Sequence, residues 1–167
     1  RGTRSHLPGR FETRTHEVVD DGWLADESEE FAAPRLRTEV RVETARSIIS
    51  RNASPDVGFE QSVNPYRGCE HGCSYCFARP THAYLNLSPG LDFETKIFAK
   101  TNAAELLRKE LAKPGYVAKP FALGINTDAY QPIERKLGIT GQLIEVLAET
   151  RHPFSLLTKN ALVERDI

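Results

Sequence analysis

Three cysteines within eight residues, Cys69, Cys73 and Cys76, constrain this chain more than any other feature. The chain has no other cysteine. An odd number packed this closely is a poor disulfide framework. With no visible secretory signal, such a cluster reads as a metal site in a reducing compartment, the cytoplasm. The spacing is C-x3-C-x2-C. Thiolates bind iron and zinc, and three sulfurs on one tight loop can hold three corners of a cubane iron–sulfur cluster. Four cysteine ligands would close all four irons, whereas three leave one iron open to an exogenous ligand. Gly68 and Gly72 let the backbone come close without Cβ clashes. Two other readings remain open on the residues alone. One is a non-enzymatic zinc module that adds His71 or His82 to the cysteines. The other is an electron-transfer cluster with a fourth ligand elsewhere. No second C-x2-C or H-x3-H pair follows, and isolated His71 and His82 read as polar loop or helix residues before they read as ligands.

The rest of the composition bounds the partners. The chain has 167 residues and a net charge of -1, which allows one domain, or one and a fragment, and argues against a strongly basic nucleic-acid binder. No apolar run approaches the ~18–20 residues of a membrane span, so no membrane partner is expected. The character changes near residue 60. Residues 1–60 carry nine Arg, no Lys and twelve acids, and residues 61–167 carry thirteen bases and eleven acids. Glu17–Glu30 has seven acids and no base. Residues 1–60 therefore read as an acidic, partly irregular N-terminal extension, with Arg1–Pro34 an extended or disordered arm, or one that docks onto the core through Trp23. There is no Met, Arg1 stands first, and the last helical pattern opens at Asn160 just before Ile167. The expectation is a piece of a longer protein.

Residues 61–167 show clearer periodicity. Leu36–Val42 gives a weak strand signal by partial alternation, and Ser62–Tyr66 an extended segment that runs into the cysteine loop. A short helix is expected over Pro80–Leu87 and a strand over Lys96–Lys100. Asn102-Ala-Ala-Glu105 looks like a capping box. It opens a helix carrying Leu107, Leu111 and a Glu105–Lys109 pair, and Pro114-Gly115 stops that helix. Phe121–Asn126 and Phe154–Leu157 are short apolar strands. Between them Ile139, Leu143, Val146 and Leu147 form a helical stripe, with Thr140 as N-cap. This is a βαβ unit, whose strands are parallel.

The cysteine motif, with Tyr75 just before the third cysteine, resembles the signature of the radical SAM superfamily. Asn64-Pro-Tyr-Arg-Gly-Cys69, Thr127-Asp-Ala-Tyr-Gln-Pro132 and Thr158-Lys159 are similar to the branch that contains spore photoproduct lyase and proteins labelled DNA-repair photolyases. The resemblance covers Ser62–Ile167. It implies an α/β fold: the N-terminal portion of a radical SAM partial (β/α) barrel, incomplete in this chain and preceded by an irregular arm, with residues 61–167 as the first part of the core. It implies a [4Fe-4S] cluster on Cys69, Cys73 and Cys76, and S-adenosylmethionine on the open iron. The reduced cluster then cleaves S-adenosylmethionine to methionine and a 5′-deoxyadenosyl radical. By the same motifs Tyr75 would sit near the adenine, and Thr127, Asp128 and Lys159 would belong to the S-adenosylmethionine site. Asp128 would accept from the ligand ammonium and Lys159 would pair with its carboxylate. The implied partners are an electron donor such as flavodoxin or ferredoxin and a substrate of unknown class, nucleic acid among the options.

The residues add an independent argument, because in barrels of parallel strands function gathers at the C-terminal strand ends. The cysteine loop, Thr127-Asp128 and Lys159 each follow a strand. The bland alternatives are a turn residue for Asp128 and a solvated side chain for Lys159. One departure separates the chain from the spore lyase, which uses a further cysteine as hydrogen donor just before the Ser-Asp pair. Ile125 stands there. Either another residue such as Tyr130 donates hydrogen, or the substrate is not a DNA photoproduct; the second reading is favoured.

Overall fold

The computed structural model describes residues 2–3, 7–11 and 37–167. Trp23 and the acidic stretch Glu17–Glu30 lie outside the described residues, so the expectation of an irregular arm is open there. The fold is mixed α/β with two small sheets. Its strands are β1 (Glu39–Val42), β2 (Ile49–Arg51), β3 (Gln61–Val63), β4 (Tyr66–Arg67), β5 (Lys96–Ala99), β6 (Phe121–Leu123) and β7 (Phe154–Leu156). Its α-helices are α1 (Leu91–Thr95), α2 (Ala103–Leu111), α3 (Glu134–Leu137) and α4 (Ile139–Glu149), and Arg79–Leu85 and Ala161–Asp166 are 3-10 helices.

The four-stranded sheet runs β2-β3-β6-β7. Its last three strands are parallel, with Val63 opposite Leu123 and Leu123 opposite Leu156. Every residue of β3 and β6 is buried, as central parallel strands covered on both faces must be. The expected βαβ unit is present, since α4 carries the chain from β6 to β7. The buried residues of α4 include Ile139, Leu143, Val146 and Leu147, and they join Val63, Phe121 and Leu123 in one core. Helix α2 packs on α4 and adds Leu107 to that core. The second sheet runs β1-β5-β4, with β1 parallel and β4 antiparallel to β5. Strand β1 thus belongs to one sheet and β2 to the other. The change of composition at residue 60 does not coincide with a break in either sheet.

Two local expectations are corrected. Asn102 precedes α2 but makes no side-chain cap. Its amide instead brackets the backbone of Ala45, accepting from Ala45 N at 3.0 Å and donating to Ala45 O at 2.9 Å. A long-range pairing of both amide atoms outcompetes the local cap. Gly138, not Thr140, is the N-cap of α4, at φ 62°. Thr140 lies inside the first turn, where its hydroxyl donates to Ala129 O at 2.6 Å and its amide donates to buried Glu134.

Candidate functional site

Because β3, β6 and β7 are parallel and in register, the three segments that leave them emerge at one end of the sheet. The first becomes the cysteine loop, the second carries Thr127 and Asp128, and the third carries Thr158 and Lys159. Asn64, just after β3, accepts the Asn126 amide at 2.8 Å and ties the first two segments together.

The cysteine loop is closed by backbone turns: Gly72 N donates to Cys69 O at 3.4 Å and Cys76 N to Cys73 O at 3.2 Å. Gly68 and Gly72 have φ of 80° and 62°. A Cβ at Gly72 would stand 2.7 Å from a Glu94 carboxylate oxygen, and one at Gly68 would stand 2.9 Å from the His82 ring. Both positions therefore need glycine for conformation and for space. The three thiols are outside any disulfide, Cys69 buried and the other two partly exposed. Burial pushes the Cys69 thiol up to about 11, against the pull of the Asp128 and His71 backbone amides. Any metal loaded there must displace its proton. Among the described residues, no group of three His, Cys, Asp or Glu side chains is gathered as the ligands of one metal ion would be.

Thr127 is buried and faces the loop backbone. Its hydroxyl donates to Gly68 O at 2.7 Å, and fully buried Gln131 donates to the same oxygen at 3.2 Å and to Thr127 Oγ1 at 3.1 Å. Gln131 also accepts the Glu70 amide at 3.0 Å, while the Glu70 carboxylate accepts from Ile133 N at 2.8 Å and Thr38 at 2.7 Å. The first turn of the cysteine loop is thus stitched to the segment after β6.

Asp128 is the junction of all three segments. One oxygen accepts from Tyr130 N at 2.8 Å and from the Thr158 hydroxyl at 2.7 Å, and the other accepts from Lys159 N at 3.0 Å. His71 Nε2 of the cysteine loop lies 3.2 Å from that second oxygen, as an ion pair when protonated but outside hydrogen-bond geometry. Burial by itself would raise this carboxyl. The His71 ring, the Lys159 amide, the Thr158 hydroxyl and the Tyr130 amide outweigh it and hold Asp128 below the usual carboxylate range. Lys159 is exposed, with its ammonium 2.8 Å from Cys73 Sγ and 2.6 Å from the Tyr75 oxygen, 4.8 Å over the centre of the Tyr75 ring. The sulfur and the phenol raise its pKa, so it stays an ammonium at neutral pH. The structure therefore brings Cys73, Tyr75, Asp128 and Lys159 together at one end of the sheet, with Thr127 beneath them as a backbone anchor.

Other residues divide differently. His82 is fully buried in the first 3-10 helix, its Nε2 donating to Lys96 O at 3.0 Å and its ring edge-on to Phe93. Burial lowers its pKa and keeps it neutral, which suits a packing residue. Tyr130 is fully buried and donates to Asp166 at 3.0 Å. Its phenol is spent on the end of the chain, not on the cysteine loop. Arg79, Glu94, Glu70 and Gln131 went unread in the sequence, although Gln131 stands inside the Thr127–Pro132 motif. No periodicity marks a polar side chain that folds back onto a loop 6 to 63 positions away in the chain.

No family model matches the chain, and no solved structure matches it. Curated proteins do. A protein of Mycobacterium tuberculosis (strain ATCC 25618 / H37Rv) described as uncharacterized is 49% identical over 109 residues, which is 65% of this chain and 32% of that protein. An uncharacterized protein of Mycobacterium bovis matches to the same extent. An uncharacterized protein of Methanocaldococcus jannaschii is 27% identical over 110 residues, 66% of this chain and 39% of the relative. The chain spans about a third of the length of the curated relatives it matches. Among the described residues, no helix is long and apolar enough to cross a membrane.

Proposed function

We propose that this chain carries the cluster loop and part of the S-adenosylmethionine site of a radical SAM enzyme of unknown substrate. One observation carries the reading. Three segments that leave parallel strands at the same sheet end converge so that the Lys159 ammonium touches Cys73 Sγ, and Asp128, which accepts the Lys159 amide, lies 3.2 Å from His71 of the loop. The β3-β6-β7 sheet with its helical connections supports the further proposal that these are the first units of a partial (β/α) barrel.

The three thiols of the loop would suit three irons of a [4Fe-4S] cluster, which leaves the fourth iron open. A closed tetrahedral zinc site would need a fourth side chain beside the three thiols. His82, one candidate fourth zinc ligand, has its Nε2 engaged by a carbonyl.

A bound [4Fe-4S] cluster would supply one-electron chemistry, the reductive cleavage of S-adenosylmethionine to methionine and a 5′-deoxyadenosyl radical. The chain's own residues do the rest. Cys69, Cys73 and Cys76 would hold three of its irons. Lys159 would exchange its contacts with Cys73 and Tyr75 for the ligand carboxylate, and Tyr75 would offer a ring for the adenine. Thr127 and Asp128 hold the loops in register. The electron comes from a small reductant protein such as flavodoxin or ferredoxin. The test is anaerobic reconstitution of the full-length protein with iron and sulfide, followed by EPR of the reduced cluster. The expected result is a cubane signal that changes when S-adenosylmethionine is added; a signal indifferent to S-adenosylmethionine defeats the reading.

A further inference from the structure

A buried ion pair lies directly under the cysteine loop. Arg79 is three residues after Cys76, and Glu94 sits in α1 with no exposed surface. The guanidinium is used on every side. Nε donates to Cys73 O at 2.9 Å, Nη1 to Gly90 O at 3.1 Å and Pro89 O at 3.3 Å, and Nη2 pairs with Glu94 Oε1. The other Glu94 oxygen accepts the Gly2 amide at 3.0 Å and lies against Gly72. A side chain at Gly2 would collide with the Gly72 carbonyl. The pair thus holds the middle of the cysteine loop from below and seats an N-terminal segment upon it.

A pair built only for stability is an odd solution, because apolar residues of similar volume often do as well or better. What apolar residues cannot do is donate to the Cys73 carbonyl, or set the charge beside a thiolate-bound metal. Partners of this kind orient ligands and tune the metal they hold, and the potential of an iron–sulfur cluster follows local charge and hydrogen bonding.

We infer that Arg79 and Glu94 are positioning residues for the cluster: Arg79 fixes the Cys73 turn through its carbonyl, and Glu94 neutralises Arg79 so that the cluster keeps a low reduction potential. The inference rests on the proposed function, and the experiment separates the two. Wild-type full-length protein is reconstituted first; if it takes up no cluster, the functional reading fails and this one with it. Arg79→Lys keeps the charge but loses the planar fork, and Glu94→Gln keeps the shape but leaves the Arg79 charge unbalanced. Circular dichroism and thermal unfolding of the metal-free variants are measured alongside iron per chain, iron loss to a chelator, and midpoint potential. Arg79→Lys should stay folded and lose iron to the chelator roughly tenfold faster, as loss of an outer-shell partner does. Glu94→Gln should shift the midpoint to more positive values, since an uncompensated cation favours the reduced cluster. A positive shift is something a merely structural role would not produce. Wild-type iron retention and potential in both variants overturn the inference. So does a metal-free chain unfolded in both, which would assign the pair to the fold alone.

Discussion

The two ends of the parallel sheet differ in the groups they present and in how those groups are paired. At the end where β3, β6 and β7 begin, there are open clefts of about 470 and 450 Å³, lined by residues that include Phe59, Lys119, Gln61 and Phe121. The polar groups behind them satisfy one another. His152 Nδ1 donates to Pro153 O at 3.0 Å, and Nε2 is 2.8 Å from the Tyr116 hydroxyl, which is 3.3 Å from Gln61. The His152 ring stacks on Phe121 at 4.1 Å. At the opposite end, three thiols and an exposed ammonium converge on a loop stitched down by Thr127, Asp128, Gln131 and Arg79. A large cleft is the usual first guess for a site. Here the cleft end has polar groups that are already paired, and the loop end has nucleophilic and cationic groups on a rigid support.

Substitutions can break or sharpen this contrast. The largest effect is expected from Cys73→Ala, which should reduce stable iron to background after reconstitution; full iron content in the variant would remove Cys73 from the ligand set. Asp128→Ala comes next. It strands the Tyr130 and Lys159 amides and the Thr158 hydroxyl, at a cost of about 2–4 kcal/mol in unfolding free energy. Its pH dependence has a definite sign. The folded-state pKa is depressed, so this stabilisation is complete above the unfolded value of about 3.9 and is lost as pH falls through the lower folded value. Urea unfolding from pH 6 down to pH 2 should show that loss in the wild type and not from this residue in Asp128→Asn. A third and smaller effect is expected for Lys159→Ala, which should weaken S-adenosylmethionine binding about tenfold by calorimetry while leaving iron content alone. Unchanged affinity would return Lys159 to the ordinary solvated lysines. The smallest belongs to the far end. Tyr116→Phe should cost about 1 kcal/mol or less in stability, with no change in iron or ligand binding. An effect of Tyr116→Phe on iron retention would erase the distinction between the two ends.

Much of this was legible in the chain itself, for identifiable reasons. The cysteine spacing is local, so it survives without any knowledge of the fold. The stripe of Ile139, Leu143, Val146 and Leu147 and the apolar runs at Phe121 and Phe154 report burial directly, and they place β6, α4 and β7, although β6 ends three residues before the expected Asn126. Strands β2 and β4 were not legible, because two or three residues carry no period and owe their state to the partner strand. Asn102 and Thr140 sit in positions where a local cap is reasonable, and tertiary partners redirected both. The support of the site was least legible. Arg79 and Glu94 read as surface charges in any window, and only the folded chain puts one against the Cys73 carbonyl and the other against Gly72. The sequence displayed the reactive groups; what holds them still is long-range.

One measurement tests the radical SAM reading most directly. The full-length protein, reconstituted anaerobically and reduced, is mixed with S-adenosylmethionine, and the products are separated by chromatography. The account predicts 5′-deoxyadenosine and methionine from the wild type and neither from Cys73→Ala. A protein that loads its cluster yet leaves S-adenosylmethionine intact, under conditions where the cluster is shown to be reduced, would contradict it.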